Sequence, residues 1–217
     1  MNQRAVLVVL SLASFLVGCH GPRATKPTIE QTKVLAPVLP KPAPPPVVYT
    51  ANVRAANSRL SIPAGRWKMI ICHHSALEKG NAAVYDRDHR KRGMENGLAY
   101  HFVIGKGIDS GDGEIEIGNR WYRQIKGGHV RDDKINEIAI GICLVGNFEK
   151  HKPTDRQIAA LKELLIYLRD EVVGAPVIFM VHTEADPGHT ECPGKYFPTE
   201  EMHRLFTPPA PPKPSGK

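Results

Sequence analysis

The sequence predicts an α/β domain with a central mixed β-sheet flanked by helices, and three observations lead there. Short runs rich in β-branched and aromatic residues are bounded by Gly or polar clusters, which is how strands read. A long amphipathic helix with marked ends sits among them. Several of the strands are apolar on both faces, as strands covered by helices on two sides must be. The chain has 217 residues and is 41% hydrophobic, which suits one compact domain with extensions rather than two large domains.

In chain order, strands are expected at Lys68 to His74 (KMIICHH), Leu98 to Ile104 (LAYHFVI), Ile138 to Val145 (IAIGICLV) and Val177 to Val181 (VIFMV). A shorter one is expected at Glu114 to Ile117, after the turn-rich Asp109-Ser110-Gly111-Asp112-Gly113. The clearest helix runs from Pro153 to Val173, where Ile158, Leu161, Leu165, Leu168 and Val172 recur at steps of three and four. Thr154 and Gln157 have the spacing of a capping box, and Gly174 suits a left-handed stop. A second, less periodic helix is expected from Asn81 to about Lys91. No internal repeat is present.

Extensions account for the rest of the chain. Residues 1–18 carry Arg4, an apolar run from Ala5 to Val17 and a small residue, the pattern of a secretory signal. The run is shorter than the roughly 20 residues of a membrane span. Leu16-Val17-Gly18-Cys19 resembles a bacterial lipobox, which makes Cys19 a candidate for lipidation and for a membrane anchor. Residues 19–60 are rich in Pro, Ala, Thr, Val and Lys and are expected to be an extended tether. The folded domain is then expected at 61–206 and a proline-rich tail at 207–217.

The formal charge of +7 lies mostly outside that domain. Arg4, the six bases and single acid of residues 20–60 and the two tail lysines leave residues 61–206 at −1. No basic face is implied, and no nucleic-acid partner is expected.

Two segments carry candidate chemistry. Alternation along KMIICHH puts His73 on one strand face and His74 on the other, so only one of them faces a given site. The stretch Val181-His182-Thr183-Glu184-Ala185-Asp186-Pro187-Gly188-His189-Thr190-Glu191-Cys192-Pro193-Gly194 follows a strand and brings a histidine and a cysteine back within one loop. Three N/S ligands with a fourth position open is the pattern of catalytic zinc, whereas a polar surface loop with an incidental buried cysteine has the same spacing. Cys72 and Cys143 lie within apolar strands. An oxidising compartment would let them bridge, while strand burial favours two free thiols.

Five ordered motifs carry a family resemblance: Ile71-Cys72-His73-His74-Ser75-Ala76, Ala99-Tyr100-His101-Phe102-Val103-Ile104, Gly127-Gly128-His129, Ile140-Gly141-Ile142-Cys143-Leu144-Val145-Gly146-Asn147-Phe148 and Thr190-Glu191-Cys192-Pro193-Gly194. In that order they resemble the type 2 N-acetylmuramoyl-L-alanine amidases, a family that includes the peptidoglycan recognition proteins and the amidase-type phage lysozymes. The match spans roughly Trp67 to Phe206. It implies one zinc ion, held by His73, His182 and Cys192 in a surface groove at the sheet edge. It further implies Tyr100 and Thr190 as catalytic residues. His129, after two glycines, is a candidate substrate contact; His74 is either a second one or a structural residue. Where one branch of the family keeps a glutamate base, this chain has Cys143, and its nine residues between His182 and Cys192 exceed the usual number by two.

The reaction implied is hydrolysis of the amide between the lactyl group of N-acetylmuramic acid and L-alanine of a peptidoglycan stem peptide. Tyr100 would hydrogen-bond the attacking water or the oxyanion, with Thr190 aiding orientation. A non-catalytic peptidoglycan-binding lipoprotein and a zinc peptidase acting within the stem peptide are the competing classes. An exported monomer anchored in the cell envelope is expected, with the outer membrane favoured because no aspartate follows Cys19.

Overall fold

The structure is a computed structural model that describes residues 47–174 and 176–207. The signal segment, the lipidation candidate Cys19, the proline-rich stretch up to residue 46 and the tail beyond Thr207 lie outside the described residues.

Five strands form one mixed sheet in the order β3-β2-β4-β1-β5. They are β1 Met69–His74, β2 Phe102–Ile104, β3 Ile115–Ile117, β4 Ala139–Leu144 and β5 Ile178–Val181. β1 pairs in parallel with β4 and β5, β4 pairs in parallel with β2, and β3 closes one edge antiparallel to β2. The expected mixed sheet with helices on its faces is therefore present.

Register decides what each face does. Ile70, Cys72, Phe102, Ile104, Ile140, Ile142, Leu144, Phe179 and Val181 share one face and form the main core. The long helix α5, Asp155–Tyr167, covers that face with Leu161, Leu164 and Leu165. Its expected capping box is made, with Thr154 Oγ1 accepting from Gln157 N at 3.0 Å. Beyond Tyr167 the helix widens into a π-helical stretch, Leu168–Val173, and stops at Gly174, whose φ is +74°. The opposite face carries Ile71, His73, Ala139, Gly141, Val103 and Cys143, with Tyr85 and Leu98 packed on one side and Val130 and Ile135 on the other. Cys72 and Cys143 thus stand on opposite faces, and both thiols are free.

The domain starts earlier than the sequence suggested. Helix α1, Ala51–Asn57, lies within the segment assigned to the tether, yet Val53 is fully buried in the main core. Asn57 bridges the fold, accepting from Trp121 Nε1 at 2.8 Å and donating to the Tyr167 hydroxyl at 2.9 Å. Glu163 on α5 accepts from Tyr49 N, Thr50 N and Thr50 Oγ1 and so caps the start of α1. Burial alone would raise the Glu163 carboxyl, but the bonds from Thr50 and Tyr49 and the nearby Arg54 hold it below its usual range. The proline-rich composition ends at Pro46, five residues before α1.

Helix α2, Ala82–Lys91, is where the sequence placed it, with Asn81 Oδ1 capping Val84 N at 2.8 Å. Four further short helices, α3 Asn119–Arg123, α4 Asp133–Ile138, α6 His182–Ala185 and α7 Thr199–Arg204, are too brief to show a period. The run Leu98 to Ile104, expected as one strand, is a strand only from Phe102.

Candidate metal centre

β1 and β5 are adjacent and parallel, with Cys72 level with Val181. The next residue on β1 is His73, and the next after β5 is His182. Both histidines therefore emerge at the carboxyl ends of neighbouring strands, where open parallel sheets build ligand sites. Their rings are 4.5 Å apart between centroids. Cys192, on the loop that returns after α6, brings Sγ to 3.9 Å from His73 Nδ1 and accepts from His74 N at 3.2 Å. Among the described residues, these three form the one set of potential metal ligands, with donor atoms all within 4.8 Å of one another.

A second layer fixes which nitrogen each ring offers. His73 Nε2 is 3.0 Å from His129 Nδ1, and His129 Nε2 is 3.4 Å from the Ala139 carbonyl. One assignment satisfies the chain: His73 Nε2–H donates to His129, His129 Nε2–H donates to Ala139, and His73 Nδ1 is left as a lone pair beside the sulfur. On the other side, His182 Nε2–H donates to Asp186 Oδ2 at 3.0 Å, and that oxygen also accepts from Arg131 N at 2.9 Å. His182 Nδ1 is then its free ligand atom. Histidine ligands backed by a carbonyl or carboxylate in this way are oriented and made more basic.

Glycines make room for this arrangement. A Cβ on Gly141 would stand 2.3 Å from the His129 ring, and one on Gly127 would stand 2.4 Å from it. Burial, with His129 and His182 close by, pushes His73 well below its ordinary pKa, and burial pushes His129 down to about 3. Both rings are neutral, as ligation and its support require. Burial pushes the Cys192 thiol up to about 12, so its sulfur ionises near neutrality only against a cation. Two imidazoles and one thiol sulfur are a zinc-type donor set, so the residues present fit a zinc ion.

The family whose model is described as N-acetylmuramoyl-L-alanine amidase matches residues 63–195, which contain all three ligand candidates. The chain belongs to this family. It is 29% identical over 138 residues to peptidoglycan recognition protein 3 of Mus musculus, covering 58% of this chain and 36% of that one. It is 32% identical over 99 residues to peptidoglycan-recognition protein SC2 of Drosophila melanogaster, covering 45% of this chain and 47% of that one. The chain thus spans less than half the length of these curated relatives. Among solved structures, the N-acetylmuramoyl-L-alanine amidase LysC from Clostridium intestinale is similar, with a TM-score of 0.54 and 31% identity over 64% of this chain and 84% of that one. So is peptidoglycan recognition protein LE, solved in complex with tracheal cytotoxin, a monomeric diaminopimelic acid-type peptidoglycan. Its TM-score is 0.51, at 26% identity over 67% of this chain and 82% of that one.

Within this amidase-family site the remaining sequence candidates separate. Tyr100 lies beside the ligands, its ring 5.2 Å from that of His73. Burial, followed by Cys143 and Cys192, raises its hydroxyl well above the ordinary value. His101, its neighbour, is wholly buried against Trp67 and Trp121. There its Nδ1 accepts from Gly141 N at 2.9 Å and its Nε2 donates to Ile125 O at 3.1 Å. Thr190 Oγ1 accepts from Cys192 N at 3.1 Å and so shapes the ligand loop from within.

The two candidates for substrate contact both have partners within the fold. His129 is not a surface contact for substrate: it is 6% exposed and sits beneath His73 as its hydrogen-bond partner. His74, half-buried, is tied into the fold: its Nδ1 accepts from Phe148 N at 3.1 Å while its backbone N–H donates to Cys192 Sγ. Asp186 went unrecognised in the sequence. Its position four residues after His182, on the same face of a helical turn, was the available signal.

Proposed function

We propose that this chain is a zinc-dependent amidase that cleaves between the lactyl group of N-acetylmuramic acid and L-alanine of peptidoglycan stem peptides. The observation that carries the reading is the convergence of His73, His182 and Cys192, each ring backed by its own hydrogen-bond partner. The likeness to LysC supports cleavage, and the likeness to a recognition protein solved with a muropeptide supports the substrate class.

A zinc ion bound to these donors would supply Lewis acidity towards the amide carbonyl and the attacking water. The chain's own residues do the rest. His129 and Asp186 keep both imidazoles turned with Nδ1 towards the sulfur. Tyr100, held protonated by its surroundings, donates a hydrogen bond to the oxygen that gains charge as the carbonyl is attacked. Thr190, whose oxygen accepts from Cys192 N, keeps its own O–H to orient the reacting groups. Cys143 is no substitute for a carboxylate base, because burial and the neighbouring Cys192 keep its thiol protonated. The same proposal places the enzyme in the cell envelope, with a lipid on Cys19 and the residues up to Pro46 as tether.

Digestion of purified sacculi, followed by mass spectrometry, tests the reading. Free lactyl groups and intact stem peptides beginning with L-alanine are expected, with no product after chelation or in Cys192→Ser. Peptides cut internally would identify a peptidase instead, and retention on sacculi without any product would identify a binding protein.

A further inference from the structure

Tyr100 stands on no regular element. β2 begins at Phe102, so the sheet ladder does not hold the segment that presents the hydroxyl. Side chains of α2 do. Leu98 N donates to Asp86 Oδ1 at 2.8 Å, and Ala99 N, the last amide before Tyr100, donates to His89 Nδ1 at 3.0 Å. Asp86 and His89 are three residues apart on α2 and therefore share a face, offering two acceptors to two consecutive amides. The Ala99 carbonyl is fixed from the other side, accepting from Gly128 N at 3.0 Å.

The clamp is itself braced. Arg90 Nε donates to Asp86 Oδ2 at 2.8 Å and its Nη1 donates to the Glu95 carbonyl at 2.9 Å, which holds the turn between α2 and the clamped segment. That turn is pressed close: Gly97 has φ +67°, and a Cβ there would stand 2.0 Å from Asp86 Oδ1. The His89 ring lies 5.9 Å from the Tyr100 ring, tilted at 57°.

We infer that His89, with Asp86, is a positioning residue that sets Tyr100 for the reaction by fixing the backbone before it and bracing its ring. The inference rests on the amidase reading given above. Burial, with Arg92 and Arg120, lowers the His89 pKa, so that Nδ1 stays free to accept. Asp86 is held ionised, chiefly by Arg90.

Steady-state kinetics of the zinc-loaded chain on a muropeptide test this. His89→Ala is expected to lower kcat about tenfold to hundredfold, the cost of a misplaced catalytic group, with KM and zinc content unchanged. His89→Asn is expected to restore most of the rate, because an amide oxygen on the same atom sequence from the backbone replaces Nδ1. In a Tyr100→Phe background His89→Ala is expected to cost nothing more. Full kcat in His89→Ala, or an equal loss with and without the Tyr100 hydroxyl, overturns the inference. If the wild-type chain cleaves no muropeptide, the amidase reading fails by itself and NMR of ring-labelled tyrosine decides. Tyr100 resonances are then expected to shift or broaden in His89→Ala and return in His89→Asn; unchanged resonances in His89→Ala overturn the positioning role.

Discussion

A thiol pushed up to about 12 is a poor metal ligand until a cation displaces its proton. Zinc binding near neutral pH should therefore release a proton from Cys192, with His73 and its partner His129 already neutral, and strengthen about tenfold per pH unit for that one proton. Calorimetric titration in two buffers of different ionisation enthalpy counts that proton, and a count of zero would contradict the assignment of Cys192. His129→Ala and Asp186→Ala each remove the partner that orients a ligand, and each is expected to weaken zinc about tenfold to hundredfold. Gly141→Ala, which drives a methyl into the His129 ring, should do the same and destabilise the fold by about 1–3 kcal/mol. Metal titration together with thermal melts separates the two effects. The three ligand candidates were legible in the sequence because His73 ends a strand run, His182 and Cys192 share one loop, and the family resemblance joins them. The part played by His129 was not, since its seat is made by Gly127 and Gly141, and only the pairing of β4 with β1 brings that seat under His73.

Among the elements, α1 has the clearest consequence. It buries a single valine, but it ties α5, Trp121 and Tyr167 together through Asn57 and Glu163. A chain beginning at residue 61, the boundary that composition alone suggested, should melt below one beginning at residue 47. Val53→Ala should cost about 2 kcal/mol in chemical denaturation, two methyl groups plus the cavity they leave. Equal melting of the two chains would mean that α1 is decoration. The long elements were readable because α5 runs far enough to repeat its leucines and β1 and β4 are unbroken apolar runs. Helices of four to seven residues complete fewer than two turns, so α1, α3, α4, α6 and α7 leave no period to find. Tyr100 and His101, expected within one strand, both precede it.

At the scale of the whole molecule, buried histidines set the response to acid. His101 is held well below its ordinary value of 6.5, and His129 is lowered to about 3, both chiefly by burial. The unfolded chain takes up these protons first, so their contribution to stability is complete above about pH 6.5 and is lost as pH falls towards the folded values. The metal-free domain should accordingly have a lower Tm at pH 5.5 than at pH 7.5, and equal values would refute the neutral, buried state of these rings. Zinc, binding only the folded form, should raise Tm with concentration. The donors it would join are far apart in sequence: His73 and Cys192 are separated by 119 residues. A chain still emerging during synthesis holds β1 long before the loop that carries the sulfur. The candidate metal centre is thus completed late, and any chain cut short of Cys192 lacks one of its three donors, so that zinc can join the site only once nearly the whole domain has been made.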